Sequence, residues 1–324
     1  MGSPTEVACR LCGNRTGNHL HTAREMMNGT REPFEYVECG ACRCLHIREV
    51  PANLGDHYGE GYYSLGDEVG HLGWAERMLR RRRAAHLFGR LDPIGWLVSR
   101  VMGPGHYAGW FRRAGVGFDS AIADVGCGSG SLLHLLRSDG FRNLTGIDPF
   151  VPSPVQLPGL RIVRSELPAV NGTFDLVMAH HSLEHVADPL QALRDMRAHL
   201  RPGGTLLVRI PIAGCWAWRH YGVDWVQLDA PRHLCIPSEE GFRALAAKAG
   251  LEITHSEYDS TALQFWGSEQ YREGVPMHAP NSYSRNPEAS RFDAAAIRDF
   301  QARARRLNEQ RDGDQACFFL RSAG

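Results

Sequence analysis

The feature that most limits the possible folds is a short apolar run that leads directly into three glycines. Residues 121–125 are apolar except for Asp124, the glycines stand at 126, 128 and 130, and residues 131–137 have a helical pattern. Glycine allows tight backbone turns and lets a ligand touch the bare main chain. The segment therefore predicts a strand, a ligand-binding turn and a helix.

Strand-like and helix-like segments alternate over the rest of the chain. Repeated β–α alternation is typical of a doubly wound, mostly parallel sheet with helices on both faces, so the predicted fold class is α/β. Residues 74–111 have a helical pattern. The further predicted strands are 144–147, 160–163, 174–179, 205–210, 251–256 and 315–321, and the further predicted helices are 189–200, one that Ser238 caps, and 291–308.

The spacing of the glycines separates two kinds of nucleotide site. Dinucleotide-binding folds require G-x-G-x-x-G, whereas here Gly130 follows Gly128 by two residues and Ser131 stands where that third glycine would be. This spacing disfavours a nicotinamide oxidoreductase. Asp148 ends the next predicted strand, and a carboxylate at this position can accept hydrogen bonds from both hydroxyls of a ribose.

The D-x-G-x-G-x-G pattern at 124–130 resembles motif I of class I S-adenosylmethionine-dependent methyltransferases. Residues 174–186 resemble the fourth-strand motif of these enzymes, and 200–208 resemble the entry into their fifth strand. The resemblance implies that Asp148 holds the ribose, that Ser165 or Glu166 lies near the adenine, and that Asp124 suits the cationic amino group of the methionine moiety. The cofactor-binding residues expected from it are Asp124, Gly126, Gly128, Gly130, Asp148, Ser165, Glu166 and His180.

Five of the nine cysteines lie between residues 9 and 44, in an arrangement typical of a metal site. Cys9 and Cys12 form one C-x-x-C pair, and Cys39 and Cys42 form a second, which predicts a closed four-thiolate structural zinc site. The 26 residues between the pairs require a hairpin. Cys44 is an alternative to Cys42, and the weaker candidate ligands are His19, His21 and His46.

The two halves together resemble a bacterial subfamily of class I methyltransferases with an N-terminal zinc-binding segment. This resemblance implies methyl transfer to a small molecule (a sugar, a nucleotide-sugar or a natural-product intermediate), with O-methylation favoured over C- or N-methylation. The expected domains are a zinc-ribbon lobe at 1–50, a Tyr-rich loop with linking helices at 51–118, and the methyltransferase domain at 119–324. The expected substrate contacts are Tyr63, Asp229, Arg232, Trp266 and Tyr271.

Methylation of an unactivated acceptor requires a base, and histidine titrates near neutral pH. His233 is the first candidate because its loop follows a predicted strand and Asp229 and Arg232 lie beside it in the sequence. His181 is the second candidate. The segment 181–185 also resembles a cation-binding segment of quinone O-methyltransferases, but His181 replaces the first glutamate there, so binding of a second metal by His181, Glu184 and His185 stays open.

Overall charge limits the expected partners. The chain has 36 basic and 36 acidic residues, so neither nucleic acid nor an anionic membrane is an expected partner. No apolar run approaches ~18 residues, and we expect a cytoplasmic protein. One alternative, a zinc-ribbon rRNA methyltransferase, is opposed by the six arginines and six glutamates of residues 1–50. Another is a non-catalytic protein that senses the cofactor or binds a partner. The oligomeric state is left open.

Overall fold

The computed structural model describes residues 2–58, 73–103 and 105–323 and divides the chain into two compact units. Each unit combines distant stretches of sequence, so residues 1–50 do not form a unit by themselves. The domain boundaries expected at residues 50 and 118 stay a prediction. The first unit contains Met1–Gly59, Leu183–Ala192 and Arg209–Phe318, and the second contains Glu60–Ser182, Leu193–Val208 and Phe319–Gly324.

A five-stranded antiparallel sheet lies in the first unit, in the order β1-β2-β3-β4-β11. Strands β2 and β3 form a hairpin between the two cysteine pairs, which confirms the hairpin required by their spacing. The last strand comes from far along the chain and pairs Cys235 with His46. The strands are β1 Ser3–Thr5, β2 Asn18–Arg24, β3 Pro33–Glu38, β4 Leu45–Ile47 and β11 Cys235–Ile236.

The second unit contains five neighbouring strands of the predicted, mostly parallel sheet, in the order β9-β5-β6-β8-β7, and most of β10, which lies next to β9. Strand β5 is parallel to β6 and β9, and β6 is parallel to β8, whereas the short β7 is antiparallel to β8. The carboxyl ends of β5, β6 and β8 therefore lie at one edge, where such sheets bind ligands. The strands are β5 Ala121–Val125, β6 Asn143–Ile147, β7 Val155–Leu157, β8 Leu160–Val163, β9 Phe174–His180 and β10 Leu200–Pro211.

The helical stretch predicted over 74–111 is three helices, α1 Trp74–Leu87, α2 Pro93–Met102 and α3 His106–Ala114. The break before α2 has a local cause, because Asp92 caps that helix by accepting from the Gly95 N–H, and proline occupies the first helical position. The other helices and strands are α4 Ser131–Asp139, α5 Pro189–Ala198, α6 Trp216–Tyr221, α7 Glu239–Lys248, β12 Leu251–Tyr258, α8 Leu263–Arg272, α9 Ala294–Glu309 and β13 Gln315–Ser322. The helix predicted over 189–200 ends at Ala198, and the strand predicted over 205–210 begins earlier than expected, because residues 200–204 already lie within β10.

The hydrophobic core of the first unit joins its N-terminal strands to residues 213–277. Tyr36, Leu45 and Ile47 are fully buried in this core, together with Trp225 and Ile236. The N-terminal strands therefore share their apolar interior with residues that lie two hundred positions away. Among the described residues, no helix is both long and apolar enough to cross a membrane.

Candidate functional site

The glycine turn after β5 has a backbone that only glycine adopts easily. Gly126, Gly128 and Gly130 have φ angles of 74°, 54° and 78°. A Cβ at Gly126 would lie 2.4 Å from the Cβ of Ser182, and one at Gly130 would lie 2.3 Å from Cδ1 of Ile162. Side chains are thus excluded at both positions, because the turn packs closely against Ser182 and Ile162.

Asp148 follows β6 and ties the glycine turn to the sheet. Its Oδ2 accepts a hydrogen bond from the Gly128 N–H at 2.9 Å, and its Oδ1 accepts one from the Phe150 N–H at 2.8 Å. Each carboxylate oxygen has a second lone pair, so both remain able to accept a ribose hydroxyl. The Ser165 N–H donates to the Asp148 carbonyl at 3.3 Å, which brings Ser165 to the same edge, with the exposed Glu166 next to it.

Asp124 lies in a different environment, although it belongs to the same unit. Its side chain is buried, and burial together with the nearby Asp148 charge raises its pKa to about 7. A buried carboxylate of this kind is stabilised in its charged form by a cation. Asp124 therefore fits the expected contact with a cationic amino group.

The two histidines that follow β9 differ in setting. The His180 ring lies 5.1 Å from the Trp110 ring, centroid to centroid. His181 is half-buried and has a φ of 48°, which is the left-handed conformation. The chain turns sharply here before it enters the 3-10 turn Leu183–His185.

The four predicted zinc ligands come together in the first unit. Their sulfur atoms all lie within 4.8 Å of one another, and the pairs Cys9–Cys42 and Cys12–Cys39 are each 3.6 Å apart. A tetrahedral zinc ion with bonds of ~2.3 Å holds its sulfurs about 3.8 Å apart, so the group has the right dimensions. Burial opposes ionisation of Cys39, but N–H groups of Cys42 and Ala41 lower its pKa to about 7.

The alternative zinc ligands lie outside this group. Cys44 is buried and accepts a hydrogen bond from the Ser238 N–H. His21 contacts Glu38 at 3.0 Å, and Nδ1 of His46 contacts the carbonyl of Ile47. His19 lies at the surface, with Nδ1 near the Gly2 carbonyl.

His233 lies in a cluster with the buried Glu184 and the half-buried His185 in the first unit. One ligand atom from each residue lies within 4.8 Å of the others. His233 is 5% exposed, and burial with a further effect of His185 lowers its pKa to about 4. Because a base is most effective when its pKa is near the working pH, His233 is a weaker base than the sequence suggested.

Arg232 has a structural environment that argues against direct substrate contact. Its side chain is fully buried, and its guanidinium donates to both carboxylate oxygens of Asp229, to Glu25 and to the His57 carbonyl. Asp229 is likewise buried and is engaged by Arg232. Both residues were expected substrate contacts, whereas in the structure they form an internal ion-pair network with Glu25.

Glu25 and His57 were missed as members of this network. They lie 207 and 175 residues from Arg232, and no local spacing connects such distant positions. Glu25 also accepts hydrogen bonds from the N–H groups of Asn28 and Thr30, which, against the effect of burial, lower its pKa.

The aromatic residues expected to contact substrate have different positions. Tyr271 is 3% exposed and belongs to the hydrophobic core of the first unit, which argues against substrate contact. Trp266 is half-buried against that core and lies 5.1 Å from the Tyr283 ring. Tyr63 lies outside the described residues.

A parallel α/β sheet with a glycine turn at its carboxyl edge, an acid near the end of β5 and another just after β6 defines a nucleotide-cofactor-binding domain of the Rossmann-like class. A family model described as "Methyltransferase domain" matches residues 86–256, just over half of the chain. The chain belongs to this methyltransferase family.

Individual relatives match shorter stretches. The chain is 30% identical to a trans-aconitate 2-methyltransferase of Deinococcus radiodurans, over 28% of this chain and 37% of the relative. It is 28% identical to a ubiquinone biosynthesis O-methyltransferase of Methylobacterium sp., over 40% of this chain and 62% of the relative. It is 31% identical to a tRNA U34 carboxymethyltransferase of Saccharophagus degradans, over 27% and 31%. The chain thus spans less than two thirds of the length of each of these relatives.

The names of these relatives include both small-molecule enzymes and a tRNA enzyme. The expectation that nucleic acid is not a partner therefore receives no support from the comparisons.

Proposed function

We propose that the protein is an enzyme that transfers a methyl group from S-adenosylmethionine to a small-molecule acceptor, with oxygen favoured as the acceptor atom. The observation that carries the proposal is the glycine turn, whose three positive φ angles and exclusion of side chains at Gly126 and Gly130 occur together with two acids at the same sheet edge. Membership of the methyltransferase family agrees with this assignment.

The cofactor-binding roles follow from the chemistry of each group. Asp148 accepts the ribose hydroxyls, Asp124 faces the cationic amino group, and Gly126, Gly128 and Gly130 let the cofactor approach the backbone. Ser165 and Glu166 border the adenine, and His180 is the remaining residue that we assign to cofactor binding. When bound, the cofactor supplies a methyl group that its sulfonium makes electrophilic, so the protein has to position the acceptor and remove its proton.

Activation of the acceptor is assigned to His233, with His181 as the reserve candidate. The Nδ1 of His233 lies 2.7 Å from the Gln227 carbonyl, so Nδ1 carries the proton and Nε2 has the lone pair. In this tautomer the lone pair of His233 Nε2 is able to accept a proton from the acceptor or to bind a metal ion. Turnover of any acceptor would separate this function from the non-catalytic alternative.

A zinc ion held by Cys9, Cys12, Cys39 and Cys42 is proposed as a structural centre. Four thiolates complete a tetrahedral shell and leave no position for substrate or water, so the centre has no catalytic duty. Its role is to hold the turns that precede β2 and β4.

A small-molecule acceptor is favoured over RNA by charge. The chain carries no net charge, whereas binding to a phosphate backbone rests on an excess of basic residues. Salt-sensitive binding of tRNA or rRNA to the purified protein would reverse this preference.

Calorimetry with S-adenosylmethionine tests the proposed function. We expect micromolar-scale binding and its loss in Asp148→Ala, because the ribose hydroxyls lose a charged acceptor and the Gly128 and Phe150 N–H groups lose their partner. Asp119→Ala is the matched control, since Asp119 is an exposed acid of the same unit that only pairs with Arg142. Equal affinity in Asp148→Ala and Asp119→Ala, or tight binding of NAD to the unmodified protein, would refute the proposal.

A further inference from the structure

Three potential metal ligands meet in the first unit, away from the four thiols. Glu184 and His185 belong to the 3-10 turn Leu183–His185, and His233 comes from the segment after the turn Val226–Leu228. We propose that Glu184, His185 and His233 bind a divalent first-row transition-metal ion. His181, the third member of the combination that the sequence left open, is not part of this group.

Both imidazoles are held in the tautomer that binds metal through Nε2. His185 Nδ1 lies 2.9 Å from the Arg232 carbonyl and 3.1 Å from the Tyr58 hydroxyl, which can accept as well as donate, and His233 Nδ1 lies 2.7 Å from the Gln227 carbonyl. A carbonyl only accepts hydrogen bonds, so each Nδ1 carries the proton and each Nε2 has the lone pair. Metal-binding histidines are commonly oriented by a backbone carbonyl in this way.

The distances between the ligand atoms of the cluster suit a bound metal ion better than direct hydrogen bonds. His233 Nε2 lies 3.9 Å from Glu184 Oε1, which is too long for a hydrogen bond. An ion with bonds of ~2.0–2.2 Å holds neighbouring ligand atoms about 3.3 Å apart, so small side-chain movements would close the site. Two imidazole nitrogens and one carboxylate oxygen suit first-row transition metals better than the oxygen-seeking Mg²⁺ or Ca²⁺.

The charges around the cluster also favour a dication. Three buried carboxylates, those of Glu25, Glu184 and Asp229, lie in this network with one buried guanidinium, that of Arg232. Three negative charges against one positive charge leave two negative charges, which a divalent ion neutralises. Asp229 Oδ2 lies 3.8 Å from His233 Nε2, so it adds to the negative potential at the site.

Three protein ligands leave coordination positions for water or substrate, unlike the four-thiol site. On the proposed function, which this consequence assumes, His233 activates the acceptor as a ligand of the ion and not as the base. The assignment of the metal site itself does not depend on methyl transfer.

Titration of the full-length protein with Co²⁺ tests the site. Weakly held ions are first removed with dipicolinate while the thiolate-bound zinc is monitored by metal analysis, and Co²⁺ binding is then followed by calorimetry and visible absorption. We expect one equivalent of Co²⁺ with weak d–d bands and no thiolate charge-transfer absorption. Glu184→Gln and His185→Ala are each expected to weaken binding at least about 100-fold, whereas the control His181→Ala should bind like the unmodified protein.

Several outcomes would overturn the assignment. The assignment is overturned if no Co²⁺ binds outside the thiol site. It is also overturned if the affinity for Co²⁺ is the same in Glu184→Gln, His185→Ala and His181→Ala. His233→Ala is included with an unfolding curve because the residue is buried, whereas the half-buried His185 provides a variant with less risk to folding. S-adenosylmethionine binding is measured on the same samples. Normal cofactor binding without Co²⁺ binding would refute the metal site and leave the proposed function intact. Co²⁺ binding without cofactor binding would refute the proposed function and leave the metal site intact.

Discussion

Asp124 and Asp148 lie at the same sheet edge, but their surroundings suit them to different chemical roles. Asp148 accepts hydrogen bonds from two backbone N–H groups, whereas burial and the Asp148 charge raise the pKa of Asp124 to about 7. Since both side chains are more than nine-tenths buried, exposure alone does not distinguish them. The backbone N–H groups bound to Asp148 and the raised pKa of Asp124 distinguish them: Asp148 suits neutral hydroxyls, and Asp124 suits a cation.

This difference predicts proton release when S-adenosylmethionine binds below about pH 7. Asp124 is protonated there in the free protein, because its folded pKa is about 7, and a cationic amino group would favour its ionised form. Calorimetry near pH 6 in buffers of different ionisation enthalpy should show release approaching one proton, falling to none by pH 8. Asp124→Asn should abolish this dependence on the buffer. Buffer-independent enthalpies at pH 6 would place the cofactor's cation elsewhere.

The same raised pKa has a consequence for stability. Between the unfolded pKa near 3.8 and the folded pKa near 7, the folded state binds more protons than the unfolded state, so the Asp124 contribution falls as pH rises through this window.

At the scale of helices and strands, the sequence predicted the elements that a local pattern of apolar and turn residues marks. The strand-turn-helix around Gly126 and the parallel strands β6, β8 and β9 were found from apolar runs and turn residues, and their existence is confirmed. Strand β11 has only two residues and pairs with β4 across nearly two hundred positions, so no periodic pattern marks it. The Glu25–Arg232 contact was not predicted for the same reason: the two residues meet only through tertiary structure, so no regular sequence spacing connects them.

The β2–β3 hairpin connects the two cysteine pairs, and zinc binding is predicted to stabilise it. Cys39→Ser should lose the thiolate-bound zinc and lower the stability of the first unit, since an incomplete ligand set binds more weakly. Zinc analysis and thermal unfolding on the purified protein measure both effects. The matched control is Cys44→Ser, because Cys44 lies two residues from Cys42 but outside the four-thiol group. Equal zinc content in the two variants would contradict the assignment of Cys39.

For the whole molecule, the division into units differs from the order of the sequence. Residues 1–59 cluster with 183–192 and 209–318, so the zinc-binding strands and the segment around His233 belong to one unit. The Tyr36 hydroxyl donates to the His233 carbonyl, and Trp218 Nε1 donates to Glu38. The first contact connects the N-terminal strands to the segment that carries His233, and the second connects them to α6.

This arrangement predicts that residues 1–58 do not fold alone, even with zinc. Tyr36, Leu45 and Ile47 are fully buried, and their core partners lie at 213–277, so the isolated fragment would expose them to water. A fragment of 1–58 saturated with zinc should give a poorly dispersed NMR spectrum, whereas coexpression with 73–324 should restore a soluble, folded complex. The full-length chain in the same buffer is the control. A dispersed spectrum from the zinc-loaded fragment alone would instead establish the N-terminal segment as an autonomous lobe, as its cysteine spacing first suggested.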